Sequence, residues 1–194
     1  MALKSNLKNM VISLTAICLV CSAILAGAYA ITKKPIEKAQ ADKLMKSLTE
    51  VLPEFASSEK GVISVDGVEY PYDKALDADG NVIGYAITSK TAGFGGTLSV
   101  LVGITADGIV HNTSVLSHSE TPGLGAKCTS DEKFMSQWKG LDFSAHSLTD
   151  GRLTVSKDGG DIDAITASTI TSRAYTTCVN QAYAAFQAII NEEN

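Results

Sequence analysis

An uninterrupted apolar run near the start limits what this chain can fold into. Residues 11–31, from Val11 to Ile31, contain no charged side chain. A helix of about 20 such residues crosses the hydrocarbon core of a bilayer, because it satisfies its own backbone polar groups. The sequence therefore predicts a short N-terminal tail at 1–10 and one transmembrane helix at 11–31, which would place the chain in contact with lipid.

The flanks of this run leave two questions about it. Small residues from Ala26 to Ala30 offer cleavage sites of a signal peptide, but the length of the run and the Lys33-Lys34 pair after it favour a retained anchor. Lysines lie on both sides, with Lys4 and Lys8 before the run and more after it. Because lysine bias sets membrane orientation, the sequence leaves the orientation open.

A second helical pattern follows the apolar run. Pro35 suits the first position of a helix, apolar residues then recur at helical spacing, and Pro53 ends the pattern. We interpret residues 32–54 as a separate juxtamembrane helix that contacts the domain or a neighbouring subunit. The rest of the chain, residues 55–194, is long enough for one domain with a proper core.

Period-two patterns indicate a β-sheet in the first part of this domain. The segments are Val62–Val65, Val68–Tyr72, Val82–Thr88, Thr97–Thr105 and Ile109–Leu116. Short connections such as Asp66-Gly67 are typical of hairpins, so the sheet is predicted to be antiparallel. The glycine-rich Thr91–Gly96 connection is interpreted as a flexible loop. Asp77–Asn81 lacks the spacing of a calcium loop and is interpreted as a turn.

Helical patterns flank this sheet. Thr129–Glu132 is a capping box for a short helix that carries Trp138, and the final helix is predicted to begin near Ser172. Two further strands are predicted at Ser144–Leu148 and Arg152–Ser156. The predicted fold class is α+β: one transmembrane helix, then an antiparallel sheet with flanking helices.

Charge and motif content exclude several functions. All 21 acidic residues and all but two of the 16 basic residues follow Ile31, which gives that part a formal charge of −7. Such an acidic domain argues against nucleic acid as a partner. The antiparallel sheet and the lack of a glycine fingerprint after a strand argue against a dinucleotide-binding fold. The three histidines lack metal-ligand spacing, and no hydrolase nucleophile motif occurs.

The four cysteines fall in two settings. Cys18 and Cys21 lie in the apolar run, where we interpret them as small apolar side chains on one helix face rather than as a redox or metal pair. Cys128 and Cys178 lie far apart in the domain. We expect two unpaired, partly buried thiols there.

A hydroxyl-rich stretch precedes the final helix. Five of the seven residues from Thr166 to Ser172 carry hydroxyl groups, and Asp163 stands three positions before Thr166. A helix N-terminus presents free N–H groups and the positive end of the helix dipole, so an anion could bind there. Helix capping alone would also account for some of these hydroxyls.

Two motifs make the chain similar to a known family. Asp163-Ala164-Ile165-Thr166-Ala167-Ser168-Thr169 resembles the flavinylation motif Asp-x-x-(Ser/Thr)-Gly-Ala-Thr, with Ala167 and Ser168 as departures. Glu120–Gly125 matches the family segment Glu-Thr-Pro-Gly-Leu-Gly. Both belong to FMN-binding subunits of the Rnf electron-transport complex and of the related Na⁺-translocating NADH:quinone reductase. Chain length suits RnfG, the flavin-carrying member of the Rnf complex, better than NqrC, its longer counterpart in the reductase.

The resemblance implies a covalent cofactor. Thr169 would carry FMN through a phosphoester bond, and Asp163, with Thr166, would be recognised by a flavin transferase. The residues that the resemblance and the local chemistry put beside FMN are Thr166, Ser168, Thr171, Ser172, Glu120, Thr121, Gly123 and Leu124. Without a cofactor, the same residues would be caps and turns.

The resemblance also implies a function. The chain would be a single-pass electron-transfer subunit in the cell (inner) membrane, with its domain on the extracytoplasmic side, in an ion-translocating ferredoxin:NAD⁺ oxidoreductase. Its partners would be the other membrane subunits of the complex, and alone it would only carry electrons. The alternatives are a cofactor-free anchored binding or assembly module, an NqrC-like component of the reductase, and a free-standing flavoprotein reductase. The transported ion, Na⁺ or H⁺, stays open.

Overall fold

The computed structural model describes residues 7–146 and 148–193. It divides into two compact units, of which the first ends at Lys43 and the second runs from Leu44. Helix α1 is Leu7–Val51. Of the predicted tail, residues 1–6 lie outside the described residues, and the helix already includes Leu7–Met10.

Helix α1 continues through Pro35, so the predicted start of a separate helix there is wrong. A proline inside a helix removes one backbone hydrogen bond, and the turns on either side sustain the helix despite that loss. The apolar side chains from Leu7 to Ile31 are exposed. Among the described residues, α1 is the one helix long and apolar enough to cross a membrane.

The second unit is built on a five-stranded antiparallel sheet with strands in sequence order. The strands are β1 (Ser57–Val65), β2 (Val68–Leu76), β3 (Val82–Ala92), β4 (Thr97–Thr105) and β5 (Val110–Ser117). At the first hairpin Asp66 and Gly67 have φ values of 52° and 78°. Positive φ at both positions is the geometry of a type I′ turn. The predicted antiparallel sheet and α+β class are confirmed.

The sheet is covered on both faces. Helix α3 (Thr169–Glu193) packs on one face, and Leu48, Val51 and Leu52 form a cluster with sheet residues on the other. Seven of the nine residues of β4 are therefore buried. Apolar side chains on both faces of one central strand give this unit its core.

Helix α3 is tied to the sheet near both ends by hydrogen bonds. The Tyr175 hydroxyl donates to Thr113 Oγ1 on β5 at 2.9 Å. At the other end, Glu193 accepts from the Tyr85 hydroxyl at 2.7 Å and pairs with Lys74 at 2.8 Å. These bonds fix the position of α3, and therefore of its first turn, along the sheet.

The segment between the sheet and α3 differs from the prediction in part. Helix α2 is Glu132–Ser136, capped by the Asp131 side chain, and it ends before Trp138. The predicted strands at 144–148 and 152–156 are wrong: a short 3-10 helix occupies Phe143–Ala145, and Thr149 and Arg152 form an isolated bridge. Asp142 caps that 3-10 helix by accepting from the Ser144 N–H at 2.8 Å, which directs the backbone away from an extended course. Ser147 lies outside the described residues.

The prediction of unpaired thiols in the domain is confirmed. Cys128 and Cys178 are both free and fully buried. Burial raises the pKa of each thiol to about 11. Because the thiolate is the reactive form, these cysteines serve as core side chains rather than as redox groups.

We expect Gly103→Ala to destabilise the second unit strongly. A Cβ at Gly103 would collide with the Val51 backbone carbonyl, where the end of α1 packs on β4. Overpacking of this kind costs about 1–3 kcal/mol, which a lower midpoint of urea unfolding would report. Gly27→Ala is the matched control, because no other atom lies within 4 Å of its added methyl group. Equal midpoints for the two variants would contradict this account of the packing.

Candidate cofactor site

The two predicted motifs, more than forty residues apart in the chain, form one cavity. Its volume is about 370 Å³. The lining residues are Phe94, Glu120, Thr121, Leu124, Gly125, Ala167, Ser168, Thr169, Ile170 and Thr171. The structure thus brings together Glu120, Thr121, Leu124, Ser168, Thr169 and Thr171 from the predicted set.

A buried carboxylate holds this cavity together. Glu120 is 6% exposed. Its Oε1 accepts from the N–H groups of Phe94 at 2.8 Å and Gly95 at 3.3 Å, and its Oε2 accepts from the Thr171 hydroxyl at 2.8 Å. Hydrogen bonds to an ionised group are the stronger kind. Glu120 therefore joins the β3–β4 loop, the loop after β5 and the first turn of α3.

Two glycines give this carboxylate its space. A Cβ at Gly93 would collide with Glu120 Oε1, and one at Gly125 would collide with Glu120 Oε2 and Thr171 Oγ1. The glycines of both loops are therefore needed for packing around Glu120. The predicted flexibility of the 91–96 loop is wrong for the same reason: its backbone is held by a buried charge.

The start of α3 is shaped by Ser172. Its hydroxyl donates to the Ser168 carbonyl at 3.0 Å and accepts from the Ile165 N–H at 2.9 Å. The first intrahelical bond runs from the Ser172 N–H to the Ser168 carbonyl. Helix α3 therefore starts at Thr169, three residues before the predicted start, and the N–H groups from Thr169 to Thr171 precede that bond.

The backbone at Ala167 explains one departure from the flavinylation motif. Its φ is 61°, in the left-handed region that glycine adopts without strain. The motif has glycine at this position. Alanine there carries a cost of about 1 kcal/mol. The site keeps the backbone course of the motif with a residue that fits it less well.

Ser168 is the second departure, and its side chain lines the cavity. It is 7% exposed, and its Oγ has no hydrogen-bond partner among the described residues. A buried hydroxyl without a partner costs on the order of 1–3 kcal/mol. An oxygen-rich group in the cavity, such as a phosphate, would accept its hydrogen bond, so the residues present fit a phosphorylated cofactor.

Thr169 is half-buried and opens into the same cavity. Its Oγ1 accepts from Lys157 Nζ at 3.0 Å. Lys157 lies on a short 3-10 helix, Ser156–Asp158. Sequence reasoning missed this lysine, because nothing in the pattern around it indicates a contact twelve residues away.

Exposed apolar side chains surround the opening of the cavity. Phe94 is 69% exposed, Ile170 50% and Leu124 45%. Sequence reasoning also missed Phe94, although an aromatic residue between glycines in a loop is a usable signal. The bonds from Glu120 hold its backbone in place, so Phe94 is presented to solvent by a fixed loop.

The remaining predicted site residues do not line the cavity. Thr166 is exposed, Gly123 forms a turn with φ 76°, and Ser172 is fully buried beneath the loop. Asp163 is exposed and pairs with Lys133 at 2.8 Å, which raises the pKa of that lysine. Their roles toward a cofactor or a transferase remain predictions.

Comparison with known proteins assigns the class of the domain. The model of the FMN-binding domain matches residues 93–184, which include every residue that lines the cavity. The model of the RnfG N-terminal region matches residues 1–51. This chain therefore contains an FMN-binding domain preceded by the N-terminal region of that family.

Relatives along nearly the whole chain give the family. The RnfG subunit of the ion-translocating oxidoreductase complex of Methanosarcina acetivorans is 34% identical over 182 residues, 91% of this chain and 93% of the relative. Its counterpart in the Na⁺-translocating ferredoxin:NAD⁺ oxidoreductase complex of Acetobacterium woodii is 33% identical over 92% of this chain and 93% of its own. The chain belongs to the RnfG family of ion-translocating oxidoreductase complexes.

A solved structure supports the fold. NqrC, from the Na⁺-translocating NADH-quinone reductase of Parabacteroides distasonis, aligns with a TM-score of 0.50 at 20% identity, over 75% of this chain and 81% of that one. The predicted membership of the RnfG family, with its relation to NqrC, is confirmed.

We expect Ala167→Gly to stabilise the protein, although alanine to glycine is normally destabilising. Glycine removes the left-handed strain of about 1–2 kcal/mol and adds about 0.5–1 kcal/mol of unfolded-state entropy. The net gain of about 0.5–1 kcal/mol would appear as a higher urea midpoint. Ala188→Gly, inside α3, should lower the midpoint instead. A lower midpoint for Ala167→Gly as well would contradict the assigned strain.

We expect Glu120→Ala to lower the free energy of unfolding by about 3 kcal/mol, because it leaves two buried N–H groups and one hydroxyl without their acceptor. Glu120→Gln should lose less, since its amide oxygen still accepts. Glu59→Ala, on the exposed surface of β1, is the control and should change the urea midpoint little. Similar losses for Glu120→Ala and Glu59→Ala would rule out the proposed role of the buried carboxylate.

Proposed function

We propose that this chain is a membrane-anchored electron carrier with FMN esterified through its phosphate to Thr169. The observation that carries the proposal is the position of this hydroxyl. Thr169 is the first residue of α3 and lines the cavity built by both motif loops. An ester at this point would hold the cofactor at a helix N-terminus, where a phosphate is favoured.

The residues around Thr169 support a phosphate. A phosphodiester keeps one negative charge, and the N–H groups from Thr169 to Thr171 lie before the first intrahelical bond of α3. Ser168 offers a buried hydroxyl without a partner. Donors fixed before the ligand arrives bind an anion with little loss of entropy. Thr171 contributes indirectly, through its bond to Glu120.

The apolar opening of the cavity supports the flavin ring. Phe94, Leu124 and Ile170 offer apolar surface beside the phosphate-binding end, and their exposure leaves an edge of a bound ring open to another protein. FMN, when bound, supplies the electron-transfer chemistry. The chain's own residues would orient the ring and limit its contact with water. Thr121 and Gly123, in the loop after β5, would border it.

The first part of α1 supports the anchor. Its exposed apolar side chains would be solvated by lipid, and the family match includes this region. We infer that the chain crosses the cell (inner) membrane once, with its domain on the extracytoplasmic side. Ester attachment would then prevent loss of the cofactor from that compartment.

The names of the relatives support the partners. We propose that the chain works in an ion-translocating ferredoxin:NAD⁺ oxidoreductase, passes electrons between other subunits of that complex and performs no catalysis alone. During maturation a flavin transferase would recognise Asp163 and Thr166, both of which are exposed.

Intact-mass spectrometry of the full chain tests the covalent site. After co-expression with a flavin transferase, wild type should carry the added mass of one esterified FMN, and Thr169→Ala should carry none. Thr177→Ala, an exposed threonine later in α3, is the control and should be loaded like wild type. An unloaded wild type would contradict the carrier hypothesis. A loaded Thr169→Ala would move the ester to another hydroxyl, with Ser168 as the nearest.

A further inference from the structure

We propose that Lys157 is the charge partner of the phosphate at Thr169, and that an Asp158–Arg173 ion pair holds Lys157 in that position. The inference rests on the proposed esterification of Thr169 and assigns a role to three residues outside both motifs. It begins from a contact already present in the protein without cofactor: Lys157 Nζ donates to Thr169 Oγ1 at 3.0 Å.

The local charge balance calls for such a partner. The one charged residue that lines the cavity is Glu120, and it is acidic. Both of its oxygens are committed to the loop and to Thr171. No basic residue among the described part of the chain lines the cavity. The lysine in contact with Thr169 therefore supplies the positive charge that a phosphodiester needs beside an acidic group.

The turn that carries Lys157 is fixed to the helix that carries Thr169. Arg173 donates from Nε to Asp158 Oδ2 at 2.7 Å and from Nη2 to Asp158 Oδ1 at 2.6 Å. Arg173 lies four residues after Thr169, so both are on the same face of α3. A two-bond pair of this kind fixes orientation as well as distance. Asp158 is next to Lys157, so the pair places the lysine over the start of the helix.

Backbone bonds close the same turn from the other side. The N–H groups of Asp158 and Gly160 both donate to the Val155 carbonyl, at 2.8 Å and 3.2 Å. Gly159 has φ 88°, which glycine adopts without strain. The lysine stem is flexible, but its Cα is held relative to Thr169. Arg173 itself is held by Asp158 and is not directed toward the cavity.

Ser168 gives independent support for a ligand at this place. Its hydroxyl is buried, faces the cavity and has no partner in the described structure. The flavinylation motif has alanine here, so this donor is a feature of this chain. Together, Ser168 from below and Lys157 from the solvent side would contact the non-bridging oxygens of one phosphate.

The same lysine assists formation of the ester. The Thr169 oxygen bonds to the phosphorus of a flavin donor with a pyrophosphate linkage, the bond from that phosphorus to the donor's nucleoside monophosphate breaks, and the hydroxyl proton passes to a base of the transferase. Because Lys157 already donates to this oxygen, it stabilises the negative charge that develops there. After transfer its ammonium group pairs with the phosphodiester.

The test compares rates of FMN attachment to the full chain in detergent, followed by intact mass over time with a flavin transferase and its donor. We expect Lys157→Gln to be loaded about 10-fold more slowly than wild type, and Lys157→Arg to recover most of the rate. Lys139→Gln, which removes an exposed lysine after α2, is the control and should match wild type. Arg173→Gln should fall between wild type and Lys157→Gln.

Two further readouts separate charge pairing from a structural effect. The urea midpoint of the unmodified Lys157→Gln protein should equal that of wild type. The ratio of the wild-type rate to the Lys157→Gln rate should fall as salt rises, since salt screens exposed charges. Loading of wild type and Lys157→Gln at equal rates would overturn the inference and leave the proposed function intact. An unloaded wild type would overturn the proposed function itself.

Discussion

The candidate site depends on one buried carboxylate. Glu120 receives hydrogen bonds from the β3–β4 loop and from Thr171 on α3, while its own loop follows β5. A charge withdrawn from water is stable only when such bonds surround it. Phe94, Leu124 and Thr169 can therefore share one cavity only because Glu120 fixes their three segments. The residue that the motif marks as a cofactor contact is first a structural link.

Around this link the site divides into two chemical halves. The N-terminus of α3, the Ser168 hydroxyl and Lys157 suit an anion, and the exposed Phe94 and Ile170 suit an aromatic ring. FMN has the same two halves. The open, apolar half fits transfer of electrons to another protein better than it fits an enclosed substrate. A tether at the anionic half leaves the ring edge free.

Local patterns predicted the sheet well, because a hairpin is encoded by its turn and by alternation in its own strands. Asp66-Gly67 is a clear case. The same reasoning was wrong at Pro35, where one residue suits both the start and the interior of a helix. It was wrong again at 144–148, where the Asp142 cap decides the backbone course. In both places the outcome depends on competing hydrogen bonds that composition does not show.

The sequence by itself determined the apolar helix, the antiparallel sheet, the family and Thr169 as the proposed acceptor. Each follows from neighbouring residues: a long uncharged run, short turns, or a contiguous motif. Only the tertiary structure brought Phe94 and Lys157 to that acceptor and assigned Ser172 to the backbone rather than to the cavity. These placements depend on α3 lying on the sheet and on Glu120 joining distant loops. Contacts between such separated segments leave no local pattern in the sequence.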